Sequence, residues 1–237
     1  MEYFLDRIPS MNIEVFPSLP AASFLELKTK IEKVRGAVAA FQIDVSDGLF
    51  VPSRSWPLNE DPEDHERFRR IVRGEETLPC ADAMAFEVHF MSHHPERMLP
   101  DWIEAGIVRA LIHIESEHDF DACRKAAEGR IELGVSLTIE TPINRIDDYI
   151  PHISCVQLMG ISPIGIQGQP FDPRVLERIR QVRERYPDVI IEIDGAVNMN
   201  TAPSLVEAGA RRLAPGSYVL NAEDPKAAVR LLESIPV

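Results

Sequence analysis

Short apolar runs recur along the chain, and each is followed by a stretch whose apolar positions repeat at helical spacing. After a short N-terminal extension, the runs predict strands near Ile13–Phe16 and over Ala40–Val45, Met84–Met91, Val108–Ile114, Glu132–Ile139, Cys155–Met159, Val189–Ile193 and Arg212–Ala214. The intervening stretches predict helices over Ala22–Val34, Pro62–Val72, Pro95–Ala105, Phe120–Glu128, Asp172–Tyr186, Thr201–Ala208 and Pro225–Ser234, with a short one over Ile143–Ile150. Pro95, Pro173 and Pro225 fall in early helical turns, where a missing N–H costs nothing. Gly106, Gly129 and Gly209 follow helix ends and suit a left-handed cap. Eight strand–helix units without a linker predict one domain over residues 1–237. Its class is α/β, a (β/α)8 TIM barrel, with an open doubly wound sheet as the alternative.

The polar positions inside the strands favour the barrel. Gln42/Asp44, Glu87/His89, His113/Glu115, Gln157/Met159 and Glu192/Asp194 share one parity of their strands and point at a common axis, with the functional end at the strand C-termini. Asp44 and Asp194 are the candidate acid/base carboxylates, far apart in sequence and able to face one another across the mouth. Glu87, His113, Glu115 and Glu192 read as a buried hydrogen-bonded layer around them. Met91 and Met159 read as site-lining or core side chains, and His93 and His94 as a helix entry. Residues 53–83 are long for one unit and read as an insertion, either a surface segment or a lid.

The 237 residues, 45% hydrophobic, suffice for a full core, and the net charge of −13 argues against nucleic-acid binding by a basic surface. Arg178, Arg180, Arg183 and Arg185 alternate with Glu177 and Glu184 as a solvated helix face. No apolar run reaches the length of about 18 residues that a membrane span requires, and the leader pattern of a secreted chain is missing at Met1. A cytoplasmic protein is expected. Cys80, Cys123 and Cys155 are widely spaced and read as reduced structural thiols.

Several segments, in order, resemble the ribulose-phosphate 3-epimerase family. They are Pro17-Ser-Leu-Pro20, Asp44-Val-Ser-Asp-Gly-Leu-Phe-Val-Pro52, His89-Phe-Met91, Pro163-Ile-Gly-Ile-Gln-Gly-Gln-Pro-Phe171, Glu192-Ile-Asp-Gly-Ala196 and Gly216-Ser217. The resemblance runs from about Ile13 to Leu232. It implies inversion at a carbon beside a carbonyl, by default D-ribulose 5-phosphate to D-xylulose 5-phosphate, through an enediolate. That chemistry takes a proton from one face and returns one to the other, so two carboxylates must flank the substrate. The resemblance also implies a divalent metal ion, Zn, Fe, Mn or Co, held by Asp44, His89 and Asp194, with His89 also touching substrate. The phosphate of the sugar is expected on Ser18 and the turns at Gly165, Gly168, Gly195, Ala196, Gly216 and Ser217, whose backbone N–H groups can approach an anion. No nucleic acid or membrane partner is implied, and a homo-oligomer is expected.

The chain departs from the family pattern at the site. Gln42 stands where the family has a metal-binding histidine, and its carbonyl oxygen suits harder ions than zinc. Ser46, Leu49, Ser53 and Ala196 replace the family's Met, His, Asn and Gly, and the loop at 164–168 is one residue longer. These changes motivate the alternative of a non-catalytic or altered-specificity sugar-phosphate-binding barrel. Related decarboxylases and aldolases resemble a pattern with a lysine between two aspartates, and no lysine lies near Asp44 or Asp194.

Overall fold

The computed structural model describes residues 13–166 and 168–237; the N-terminal extension up to residue 12 and residue 167 of the loop over 164–168 lie outside the described residues. The strands are β1 Glu14–Val15, β2 Ser18–Leu19, β3 Ala40–Ser46, β4 Ala85–Met91, β5 Arg109–His113, β6 Glu132–Leu137, β7 Cys155–Met159, β8 Ile190–Asp194 and β9 Arg212–Ala214. The helices are α1 Phe24–Val34, α2 Pro62–Val72, α3 Leu99–Glu104, α4 Phe120–Ala127, α5 Arg174–Arg185, α6 Ala202–Ala208, α7 Ser217–Leu220 and α8 Pro225–Glu233. Four of them start on an Asp or Ser whose side chain accepts a first-turn N–H: Ser23, Asp61, Asp119 and Asp224.

All strand pairs are parallel, in the order β1-β9-β8-β7-β6-β5-β4-β3-β2. The two ends of this order are two halves of one strand, interrupted at Phe16 and Pro17. Phe16 N donates to Leu213 O at 2.9 Å on one side, and Gln42 N to Pro17 O at 3.0 Å on the other, so the sheet closes on itself. The outward strand residues, among them Ile43, Val88, Ile112, Val135, Leu158 and Ile193, form the hydrophobic core with the surrounding helices.

Two predicted elements differ, and one short helix is additional. The helix expected over Pro95–Ala105 is a 3-10 turn, Pro95–Arg97, followed by α3, because Pro100 lacks the N–H that would bond back to residue 96. The helix expected over Ile143–Ile150 is two 3-10 turns, Ile143–Ile146 and Ile150–His152, its N–H groups reaching back three residues, as Asp147 N does to Asn144 O and Tyr149 N to Ile146 O. The additional α7, a single turn, is too short to register as a periodic pattern. Residues 53–83 supply α2 and bury Trp56, whose ring packs against Phe24, Phe68 and Trp102 at centroid distances of 5.4, 5.5 and 5.6 Å. No described helix is long and apolar enough to cross a membrane.

The barrel interior is unusually polar. At its floor, Arg109 pairs with Glu87 and, at 2.9 Å, with Glu132, while Arg212 pairs with Glu14 at 2.8 Å. Both guanidinium groups lie over the Phe16 ring. Glu192 sits beside this layer, and burial together with the negative charge of Glu87 pushes its carboxyl well above the usual range, so it keeps its proton. A neutral Glu192 spares the floor one more desolvated charge. The strand pattern puts Glu87 and Glu192 inside, whereas Arg109 and Arg212 are not singled out by it, although Arg109 has the parity of His113.

Candidate active site

Asp44, His89 and Asp194 converge from the C-terminal ends of β3, β4 and β8. Their placement follows from register. Asp44 lies opposite His89 in the β3–β4 pair, and Asp194 opposite Met159 and Ala214 in its two pairs. His89 Nδ1 lies 3.2 Å from Asp44 Oδ1 and 3.4 Å from Asp194 Oδ2. Ser18 Oγ, brought alongside by barrel closure, donates to Asp194 Oδ1 at 3.3 Å.

Gln42 completes the group in an orientation that differs from the sequence expectation. Its Nε2, rather than its carbonyl oxygen, faces the site, donating to Asp44 Oδ1 at 2.7 Å and Asp194 Oδ2 at 3.2 Å and lying 3.4 Å from His89 Nδ1. Two acidic side chains have been brought together in a largely buried site, and the amide N–H groups satisfy one oxygen of each. The physical reason is mutual: an oxygen there would face two carboxylates with nothing to donate.

Electrostatics follow from this crowding. Burial, then the charge of Asp194, raises the Asp44 carboxyl to about 6, against the opposing pull of His89 and Gln42. Burial disfavours a charged His89, but hydrogen bonds and charge from Asp194 and Asp44 outweigh it and raise the imidazole to about 10. Next to it, the His113 ring lies 4.9 Å from that of His89. Burial lowers the His113 pKa, so this second ring is neutral. Glu115 resists ionisation through burial, yet hydrogen bonds from His113, Thr141 and Thr138 hold its carboxyl at about 2. A neutral ring fixed by an ionised, fully bonded carboxylate braces His89 without adding charge beside it.

The convergent atoms suit a divalent cation. Five of the edges joining Asp44 Oδ1, Asp194 Oδ2, His89 Nδ1 and the Gln42 terminus run from 2.7 to 3.4 Å. A tetrahedral ion with ligands at about 2.0–2.1 Å has edges of about 3.3–3.4 Å. Asp44, His89 and Asp194 therefore fit as ligands, while Gln42 as oriented offers N–H groups and no lone pair. A cation must also displace the His89 proton. Below a pKa of about 10 that proton competes, so between pH 7 and 9 metal affinity should rise about tenfold per pH unit. Below about pH 6, Asp44 adds a second competing proton and the dependence steepens. Calorimetric titration with Mn2+ across this range, with the released protons counted by buffer ionisation heat, checks it; a flat profile would show that His89 does not ligate.

Above the cluster opens a cavity of about 330 Å³. Ser18, Asp44, Met91, Met159, Gly165, Gly168, Asp194, Gly195, Ala196, Gly216 and Ser217 all line it, while Gln42 and His89 lie beneath as fully buried side chains. Asn198 and Tyr218 line it as well and were missed by sequence analysis. Their nearness to Ala196 and Ser217 was the available signal. No Lys or Arg is among the described lining residues, so an anion there meets backbone N–H groups and neutral side chains.

Close approach explains two of the glycines. Gly195 has φ +104°, and a Cβ on it would come within 2.7 Å of Ile161. Gly165 has φ +80°, and its Cβ would lie 2.5 Å from Val51 Cβ; the same contact is fastened by Ser53 Oγ donating to Gly165 O at 2.8 Å. This bond joins the loop after β3 to the loop after β7 across the mouth. Ala196 holds φ +55° without being glycine, its carbonyl accepting from Asn198 Nδ2 and Thr201 Oγ1 at 3.0 and 2.8 Å.

Comparison with known proteins bears on this geometry. Residues 14–220 match the model of the ribulose-phosphate 3 epimerase family. The ribulose-phosphate 3-epimerase of Bacillus subtilis is 34% identical over 225 residues, covering 92% of this chain and 96% of that protein. Among solved structures, a 3-hexulose-6-phosphate synthase superposes with a TM-score of 0.65 at 19% identity, covering 95% of this chain and all of that one. The KGPDC of Streptococcus mutans, solved with a bound pentose phosphate, superposes at 0.66 with 12% identity over 94% of this chain and 96% of its own. At such identities these structural likenesses establish the barrel fold alone.

Proposed function

The chain belongs to the ribulose-phosphate 3-epimerase family and is an isomerase of the epimerase class, and from that premise we propose that it epimerises C3 of a ketose phosphate, by default D-ribulose 5-phosphate to D-xylulose 5-phosphate. The observation that carries the reading is the convergence of Asp44 and Asp194 on His89 beneath a glycine-turned cavity.

One carboxylate takes the C3 proton and the electron pair moves toward the neighbouring carbonyl oxygen, giving an enediolate; the other carboxyl returns a proton to the opposite face. Asp44, with its pKa raised to about 6, is a stronger base than an exposed aspartate and is still largely ionised at neutral pH. Ser18 orients Asp194 through its hydroxyl, and the Gln42 amide holds the two carboxylates at a fixed separation. Met91 and Met159 line the cavity with polarisable, uncharged surface that keeps water from the reacting carbon. Asp44, His89 and Asp194 would hold a divalent ion, which would supply positive charge to offset the negative charge that develops on the substrate oxygens. The sugar's phosphate is assigned to the turns at Gly165, Gly168, Gly195, Ala196, Gly216 and Ser217. The Streptococcus mutans barrel carries a pentose phosphate, which supports a sugar phosphate as the ligand class.

A second reading, binding of a sugar phosphate without turnover, is favoured by one observation, the Gln42 nitrogen set against both carboxylates. Incubating the protein with ketose phosphates in deuterated water separates the two. Epimerisation gives deuterium at C3 together with the inverted product, whereas binding alone gives neither. If no ketose phosphate exchanges its C3 hydrogen at any metal supplementation, the catalytic reading fails.

A further inference from the structure

One buried amide ties the carboxylates at the mouth to the dry layer below them. Gln157, fully buried on β7, donates from Nε2 to Gln42 Oε1 at 2.8 Å and to Glu192 Oε1 at 2.9 Å, while its own Oε1 accepts from Ser136 Oγ at 2.9 Å. Because its oxygen is engaged by Gln157, the Gln42 amide presents nitrogen to Asp44 and Asp194. We propose that Gln157 is a positioning residue that decides which end of the Gln42 amide faces the cation site, and that Gln42 becomes a fourth, oxygen ligand only when the two amides invert together. This inference rests on the reading of Asp44, His89 and Asp194 as cation ligands.

The two ends of an amide have nearly the same shape, so hydrogen-bond partners alone choose between them. Nitrogen suits the two carboxylates. It cannot serve a cation, because the N–H groups are positive and the nitrogen has no free lone pair. Inverting Gln42 alone would set its Nε2 against Gln157 Nε2, donor against donor. Inverting both restores that bond in the opposite sense, and Gln157 Nε2 then donates to Ser136 Oγ. Gln42, Gln157, Glu192 and Ser136 are each fully buried, so no water is at hand to mend a mismatch. While the Gln157 N–H holds its oxygen, Gln42 therefore cannot turn that oxygen to the cation site by itself, and removing the donor on Gln157 should let it turn.

The test is Mn2+ affinity, measured by competition with a chelator, for the parent protein, Gln157→Met and Gln157→Glu, each with and without Gln42→Leu. Gln157→Met removes the donor that holds the Gln42 oxygen and should tighten Mn2+ binding about tenfold, the weight of one buried hydrogen bond. Gln157→Glu offers only acceptors to Gln42 and should tighten it at least as much. The Gln157→Met gain should vanish in the Gln42→Leu background, and the Gln157→Glu gain should shrink there to its unspecific charge effect. Gains of equal size in both backgrounds, or unchanged or weaker Mn2+ binding in the folded single variants, overturn the proposal. Where one replacement prevents folding, the other with its Gln42→Leu partner decides the question in the same way. A parent protein that binds no Mn2+ at all would instead overturn the cation reading of Asp44, His89 and Asp194, and the proposal with it.

Discussion

Asp44→Asn and Asp194→Asn are each expected to lower epimerase turnover by about a thousandfold or more, the range for losing a positioned acid or base. Each face of C3 needs its own proton carrier, and the retained partner cannot reach both. Neither substitution should unfold the barrel, because asparagine has the shape of aspartate and its removal of charge relieves repulsion between two buried carboxylates. Circular dichroism and thermal unfolding establish that the variants are folded. Turnover and solvent exchange, measured separately, then divide the roles: the variant that keeps the proton-abstracting carboxylate still exchanges the C3 hydrogen of its substrate without inverting it. Substantial epimerisation by either folded asparagine variant would rule out the paired assignment.

The second large effect is expected from the phosphate. A free ketose should lose about a thousandfold or more in kcat/KM relative to its phosphate ester, with kcat falling as well as KM rising. The phosphate is remote from C3, so its binding serves to hold the sugar where the carboxylates can reach the proton. On this assignment its grip would come from neutral donors, since no Lys or Arg is among the described residues lining the cavity. Inorganic phosphate should accordingly compete with substrate, and Gly216→Val should weaken substrate affinity by pushing the ester off the turn that begins α7. Equal kcat/KM for the free and phosphorylated sugars would remove the phosphate assignment.

The local elements were legible because their signals are local. Alternation identified the eight strand positions, and Ser23, Asp61, Asp119 and Asp224 sit as caps where helices begin. Proline explains one miss: Pro100 lies inside an apolar pattern that suits a helix and withholds a donor the helix needs, which periodicity alone does not weigh. The parity of Asp44, His89 and Asp194 was equally readable, since the side-chain period of a strand needs no knowledge of its neighbours.

What the sequence by itself determined is therefore the strands and most of the helices, the inward parity of the polar side chains and the glycine turns that follow the strands. Tertiary structure alone decided how those side chains meet. Barrel closure carries Ser18 to Asp194, which lies 176 residues away in sequence, and joins the loop after β3 to that after β7 through Ser53 and Gly165. Arg109 and Arg212, ordinary surface residue types in sequence, became the floor because a ring of strands buried them opposite Glu87, Glu132 and Glu14. The orientation of Gln42 was beyond any sequence pattern. An amide's direction is chosen by the partners on both sides of it, and those partners, Gln157 on one side and Asp44 with Asp194 on the other, come together only in the closed barrel.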